Sequence, residues 1–128
     1  MMVDEAHVLL AGHNELGAEF LAQMQRRSRK YNTGTIIITQ QPTDFAAPNI
    51  ITHGKAIFDN ASYYLVMQLR KQAVEDLAKL IDLNEAEKNA IKYYDQGEGL
   101  FVCGNKRMQI RVVLTQEELD SFGTGGGF

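Results

Sequence analysis

Two spacings of apolar residues alternate along this chain, and together they predict an α/β arrangement. Met1-Met2-Val3 is an apolar stub running straight into Asp4-Glu5, the pattern of a buried strand that ends in acids. From Asn14 to Lys30, Leu16, Phe20, Leu21 and Met24 recur at helical intervals, with Gln23, Gln25 and Arg26 on other faces. One surface helix is predicted. Asn14 is its candidate cap, and Arg26, Arg27, Arg29 and Lys30 crowd the final turn before Asn32 and Gly34 stop it. Thr35-Ile36-Ile37-Ile38-Thr39 then changes the period. This β-branched run between Gly34 and Pro42 predicts a strand buried on both faces of a parallel sheet, with Gln40 at its carboxyl tip.

Further along, Pro48 to Asn60 has the pattern of a short helix and a loop, and Tyr63 to Gln68 that of another apolar strand. Lys71 to Leu83 is predicted helical with Val74, Leu77, Leu80 and Ile81 inward. A second helix, Glu85 to Tyr94, follows the capping box Asn84-x-x-Glu87. Gly99 to Cys103 and Lys106 to Thr115 read as a hairpin about the Gly104-Asn105 turn, with Met108, Ile110, Val112 and Leu114 alternating along its second arm. Thr115 to Ser121 starts a short acidic helix. Gly123 to Phe128 reads as a flexible tail, because no strand enters its glycines and no Gly-Lys-Ser/Thr follows.

Composition narrows the class without naming a chemistry. With 128 residues, 45% apolar and 23% charged, the chain is one ordinary globular domain or most of one. A net charge of −3 argues against a broad nucleic-acid-binding face, though not against a local basic patch. No apolar run approaches the roughly eighteen residues of a membrane span, and no signal peptide is evident, so a cytosolic location is expected. Cys103, the single cysteine, lies in an apolar strand and is expected to be a buried small hydrophobe. His7, His13 and His53 lack ligand spacing, so structural zinc is not expected.

The acids carry the candidate chemistry. In nucleotide-hydrolysing α/β domains a strand-end Asp holds Mg²⁺ through water while a neighbouring carboxylate orients the attacking water. Asp4 and Glu5 fit those two roles. An Asp-Glu pair taken alone is more simply a pair of solvated surface acids, and it is the surrounding pattern of helix, basic helix end, apolar strand and polar tip that favours the functional reading. Gln40, beyond a strand's carboxyl end, is placed to meet a γ-phosphate or the attacking water. Its plainer role is a turn residue before Pro42. The cations at the helix end have a plain role too, since each complements the helix dipole by about 0.3 to 1 kcal/mol. A strand presenting Asp4 should have about five or six residues, and only three stand before it, so the chain is expected to be part of a larger protein.

The combination VDEAHVLL, RSRKYNTGTIIITQQPTDF, ASYYLVMQ and GEGLFVCGNKRMQIRVVLT resembles, over nearly the whole chain, the C-terminal motor domain of the conjugation ATPases of type IV secretion. These form the VirB-four or TraC/TraE class in the HerA and FtsK group of RecA-like hexameric motors. The resemblance implies the C-terminal part of a RecA-like P-loop domain over residues 1–122, with a parallel sheet core, an antiparallel hairpin at its edge and flanking helices. It implies that Asp4 and Glu5 are the Walker B pair, Glu5 being catalytic and Asp4 a Mg²⁺ ligand through water. Arg29 and Lys30 match the motif whose arginine reaches a nucleotide phosphate, within one subunit or across a ring interface. Thr39 and Gln40 match the sensor, with Gln41 the alternative residue. ATP and Mg²⁺ are the implied cofactors. A ring of subunits, other secretion-channel components, possibly DNA, and a position at the inner face of the cell membrane are the implied setting. The coupled work would be translocation of DNA or protein, or pilus assembly. The phosphate-cradling GxxxxGK[ST] loop is absent from the sequence, so the chain alone is expected to be inactive and its open strand edges to favour self-pairing. The alternatives are another P-loop ATPase or helicase, including a DEAH-box helicase, and a non-catalytic α/β interaction module. The helicase reading lacks its Ser-Ala-Thr motif, since Thr-Gln-Gln-Pro stands after the strand.

Overall fold

Short strands alternate with helices in the computed structural model, which describes residues 1–122 apart from the side chains of Arg29 and Phe122. The tail expected at residues 123–128 lies outside the described residues. Strand β1 (Met2–Val3) leads through a 3-10 turn, Ala6–Leu10, to α1 (Glu15–Ser28) and a second 3-10 turn, Arg29–Tyr31. Then come β2 (Ile36–Ile37), a third 3-10 turn (Pro42–Ala46), α2 (Ile51–Asp59), β3 (Tyr63–Val66), α3 (Lys71–Leu77) and α4 (Glu85–Tyr93). The hairpin β4 (Glu98–Cys103) and β5 (Lys106–Arg111) precedes α5 (Gln116–Phe122). Among the described residues no helix is long and apolar enough to cross a membrane.

The strands form two sheets. β1 and β2 pair in parallel, Met2 opposite Ile36 and Val3 opposite Ile37. β3, β4 and β5 form an antiparallel sheet in that order, with Leu65 opposite Phe101 and Phe101 opposite Met108. The hairpin therefore extends β3 and does not close the edge of the parallel pair. Each sheet has its own core. Ala6, Leu10, Ala18, Leu21, Phe45 and Ile50 pack beside the parallel pair, and Val66, Val74, Leu77, Ile91, Leu100 and Val102 beside the antiparallel sheet. Phe58 joins the two. Its ring meets Phe45 edge-on at 5.8 Å and stacks on Tyr64 at 6.1 Å.

Two glycines let turns and helices touch through their backbones. A Cβ on Gly17 would lie 2.0 Å from the Leu9 carbonyl oxygen, and one on Gly54 2.1 Å from that of Phe45. The acids and Gln40 are thus held by 3-10 turns clamped directly onto α1 and α2.

Several expectations change. Helix α1 is capped by Asn14, whose Oδ1 accepts the Gly17 N–H at 3.3 Å, but its buried face is Ala18, Leu21 and Ala22, while Leu16 and Phe20 are exposed. Small residues let the helix approach the first core closely, and the larger ones are left outside. The Thr35 to Thr39 run is not buried on both faces: Ile36 and Ile38 are 58% and 41% exposed. One partner strand and one covered face account for this. Cys103 is only half-buried, because it lies on the outer row of β4. The expected helix from Lys71 stops at Leu77, where Lys79 and Leu80 turn to carbonyls three residues back, yet Val74, Leu77 and Leu80 are buried as expected.

Candidate functional site

Glu5 sits where β1 ends, in the left-handed backbone region at φ 51° and ψ 42°. That conformation costs a non-glycine residue about 1 to 2 kcal/mol, so the surroundings must impose it. They do so from both sides. Before Glu5, the ladder fixes β1, with the Ile38 N–H donating to the Val3 carbonyl at 2.9 Å. After it, the Ala6 N–H donates to the Ile38 carbonyl at 2.9 Å. The Glu5 N–H is taken by Asp4 Oδ1 at 2.8 Å, and the chain turns into the 3-10 segment.

The result brings the ends of the two parallel strands together. Gln40 Nε2 donates to Glu5 Oε1 at 2.8 Å across 35 residues of sequence. Glu5 Oε2 lies 3.3 Å from His7 Nδ1. That nitrogen is shielded from solvent and makes no hydrogen bond, so the two groups lie close without an aligned donor. Thr39 Oγ1 accepts the Gln41 N–H at 3.1 Å, which shapes the turn below Gln40. Asp4 is exposed, with one oxygen occupied by the Glu5 N–H.

Arg29 and Lys30 begin the 3-10 turn after α1. Asn32, at φ 51°, and the Thr33 N–H donating to the Ser28 carbonyl at 3.0 Å end the helix there. Lys30 is exposed, and the Arg29 side chain lies outside the description. Asp4, Glu5, Thr39 and Gln40 are therefore brought to one edge. His7 is the residue that sequence reasoning passed over. Its spacing from the other histidines does not single it out, whereas its place two residues after Glu5 in a tight turn brings it beside that carboxylate.

Among the described residues no group of three or more His, Cys, Asp and Glu could hold a metal ion. Mg²⁺ commonly takes one or two protein carboxylates and completes its shell with water and phosphate oxygens. Asp4, with Glu5 adjacent, has the hard oxygen donors suited to that mode. Two clefts lie away from this edge, one bordered by Asp59, Tyr64, Asp82 and Arg107, the other by Gln68, Leu69, Arg70 and Lys92. Neither is bordered by Asp4, Glu5 or Gln40.

A mixed α/β domain whose parallel strand tips join a carboxylate to an amide is the class that these elements define. The structure of VirB4 of Thermoanaerobacter pseudethanolicus is similar to it with a TM-score of 0.84 and 35% sequence identity, over 92% of this chain and 32% of that one. The chain is a VirB4-like domain, and its motif resemblance to the type IV secretion ATPases is matched in three dimensions. An uncharacterized protein of Bacillus anthracis, pXO2-09, is 22% identical over 132 residues, covering 98% of this chain and 20% of that protein. The chain thus spans about a third of the one relative and a fifth of the other. No family model matches it.

Proposed function

We propose that residues 1–122 form the part of a RecA-like P-loop motor that runs from the Walker B acids onward, and that they serve an ATPase of type IV secretion. The observation that carries the reading is the Glu5–Gln40 hydrogen bond between the ends of parallel strands. It couples a carboxylate suited to orienting water with an amide suited to sensing phosphate. Asp4 holds Mg²⁺ through water, Glu5 orients the attacking water, and Gln40 detects the γ-phosphate with its remaining N–H. Thr39 and Lys30 support nucleotide binding. Arg29, on the turn after α1, reaches a phosphate as a finger within a ring of subunits, where heterologous contacts bring one subunit's surface to the next one's pocket. Work on DNA, protein or a pilus, contact with other channel components, and a cytoplasmic place at the membrane's inner face belong to the same proposal.

Gripping the β and γ phosphates needs a phosphate-binding loop, which this sequence lacks. MgATP should therefore bind this chain weakly and turn over immeasurably slowly. In a full-length polypeptide that combines this domain with such a loop, Glu5→Gln should keep nucleotide binding and lower turnover about 10²- to 10⁴-fold. Steady-state ATPase assays and nucleotide titration check both parts. Turnover like the parent's would remove Glu5 from the chemistry and favour a non-catalytic interaction module.

A further inference from the structure

The Glu5 carboxylate has a neighbour at each oxygen, and the two contacts differ in kind. Gln40 approaches Oε1 from the next strand with an aligned N–H at 2.8 Å. His7 approaches Oε2 at 3.3 Å from the turn that Glu5 itself begins. The His7 side chain is 18% exposed, while that of Glu5 is 46% exposed, so the imidazole is the anchored member of the pair. Its Nδ1 is buried and makes no hydrogen bond among the described residues, the 3.3 Å approach to Glu5 Oε2 being its polar contact. A buried polar atom held beside one carboxylate oxygen is expensive unless it interacts there.

We propose that His7 is a positioning residue for Glu5. It fixes Oε2, so that Oε1, the oxygen shared with Gln40, is the one presented to the attacking water. Gln40 carries a second N–H and an acceptor oxygen and is exposed, so it is free to turn towards phosphate. When it does, Oε1 is released to the water while His7 still sets the plane of the carboxylate. Without His7, Glu5 would lose its orientation whenever Gln40 moved. The strained Glu5 backbone adds to the need, because no strand pairing holds a side chain that begins a turn at positive φ.

This inference rests on the reading of Glu5 as the water-orienting residue, and a mutant cycle separates the two. In the full-length polypeptide, His7→Leu should lower kcat about 10- to 100-fold, the range for a misplaced or unsupported reacting group. KM for ATP should stay within about twofold, as expected when only an interaction of the chemical step is lost. His7→Asn, which restores a side-chain N–H on the same stem, should recover most of the rate. In a Glu5→Gln background, His7→Leu should have almost no further effect, because a residue acting through Glu5 has nothing left to position. A thermal melt of each variant shows which of them fold. A His7→Leu loss that persists in full beside Glu5→Gln, or that Asn fails to rescue in a folded protein, overturns the proposal while leaving Glu5 in place. A Glu5→Gln protein with normal turnover overturns both readings at once.

Discussion

Glu87 spends its whole carboxylate on structure. Oε2 accepts the Asn84 N–H at 3.0 Å and Asn84 Oδ1 accepts the Glu87 N–H at 2.9 Å, which closes the capping box of α4. Oε1 takes Arg107 Nε at 2.7 Å, and the same guanidinium donates to the Asp82 carbonyl. One acid thus ties a helix start to a strand 20 residues away. Removing one member of a buried pair typically costs 3 to 5 kcal/mol, and Arg107 keeps 31% of its side-chain exposure, so Glu87→Ala should cost about 3 kcal/mol. Urea denaturation measures it, and a loss well below that would mean that Arg107 is satisfied by water. The capping box was legible in Asn84-x-x-Glu87 because its partners are three residues apart. Arg107 was not, since nothing local marks a cross-chain ion pair. The same contrast governs the candidate site: Asp4, Glu5 and Gln40 were readable from strand-end position, whereas the proximity of His7 to Glu5 depends on a left-handed backbone that no residue type in VDEAH announces.

Between elements, Asp76 is the connection that matters to the site's support. It is buried on α3 and accepts Lys79 Nζ at 2.7 Å and Gln72 Nε2 at 3.4 Å. Hydrogen bonds, from Lys79 foremost, then Gln72 and Thr43, hold its carboxyl below the ordinary range against the opposing effect of burial. Thr43 lies in the 3-10 turn that follows Gln40 and Gln41, so the Asp76 carboxylate on α3 faces the segment below Gln40. Because the folded-state pKa is depressed, the ionised carboxylate stabilises the fold above the unfolded value of about 3.9. That contribution is lost as pH falls through the lower folded value. Asp76→Asn should therefore be less stable than the parent at neutral pH, and the gap should narrow in acid, as pH falls below the unfolded value of about 3.9. Denaturation midpoints for both proteins at the two pH values decide it, and a gap that ignores pH would assign the loss to packing. Element types and most helical positions followed from periodicity, α4 above all. The buried face of α1 did not, because Ala18 and Ala22 carry little hydrophobic signal and yet permit the closest approach, whereas Leu16 and Phe20 carry much and stay outside.

At the scale of the whole molecule, both sheets keep apolar surface uncovered. On the outer row of the antiparallel sheet, Tyr63 and Leu65 are 64% and 51% exposed, and the Tyr63 ring stacks on Phe101 at 6.0 Å. Met108 continues this row opposite Phe101. The inner row of the same sheet, Tyr64, Val66, Leu100 and Val102, packs into the second core, so β3 and β4 are apolar on both faces. β2 is open in a second way. The Ile36 and Ile38 N–H groups turn towards β1, and by alternation the Ile37 N–H faces away from it, along an edge without a partner strand among the described residues. Apolar faces of this kind mark interaction surfaces, and open β-branched edges invite pairing with another strand. The sequence carried this information in the continuous TIIIT and YYLV runs, but burial on both faces is a property of the covered sheet and could not be located without its neighbours. The isolated chain should accordingly self-associate at micromolar concentrations in sedimentation velocity. Ile36→Lys, beside the open edge, and Leu65→Lys, on the outer face, should each weaken the association, since a lysine lays its stem on the surface and keeps its charge in water. Both sites are more than half exposed, so stability should change by no more than about 0.5 kcal/mol. If Ile36→Lys alone restores the monomer, the edge dominates; if Leu65→Lys alone does, the sheet face dominates. A parent chain that remains monomeric across the concentration range would contradict self-pairing by either route.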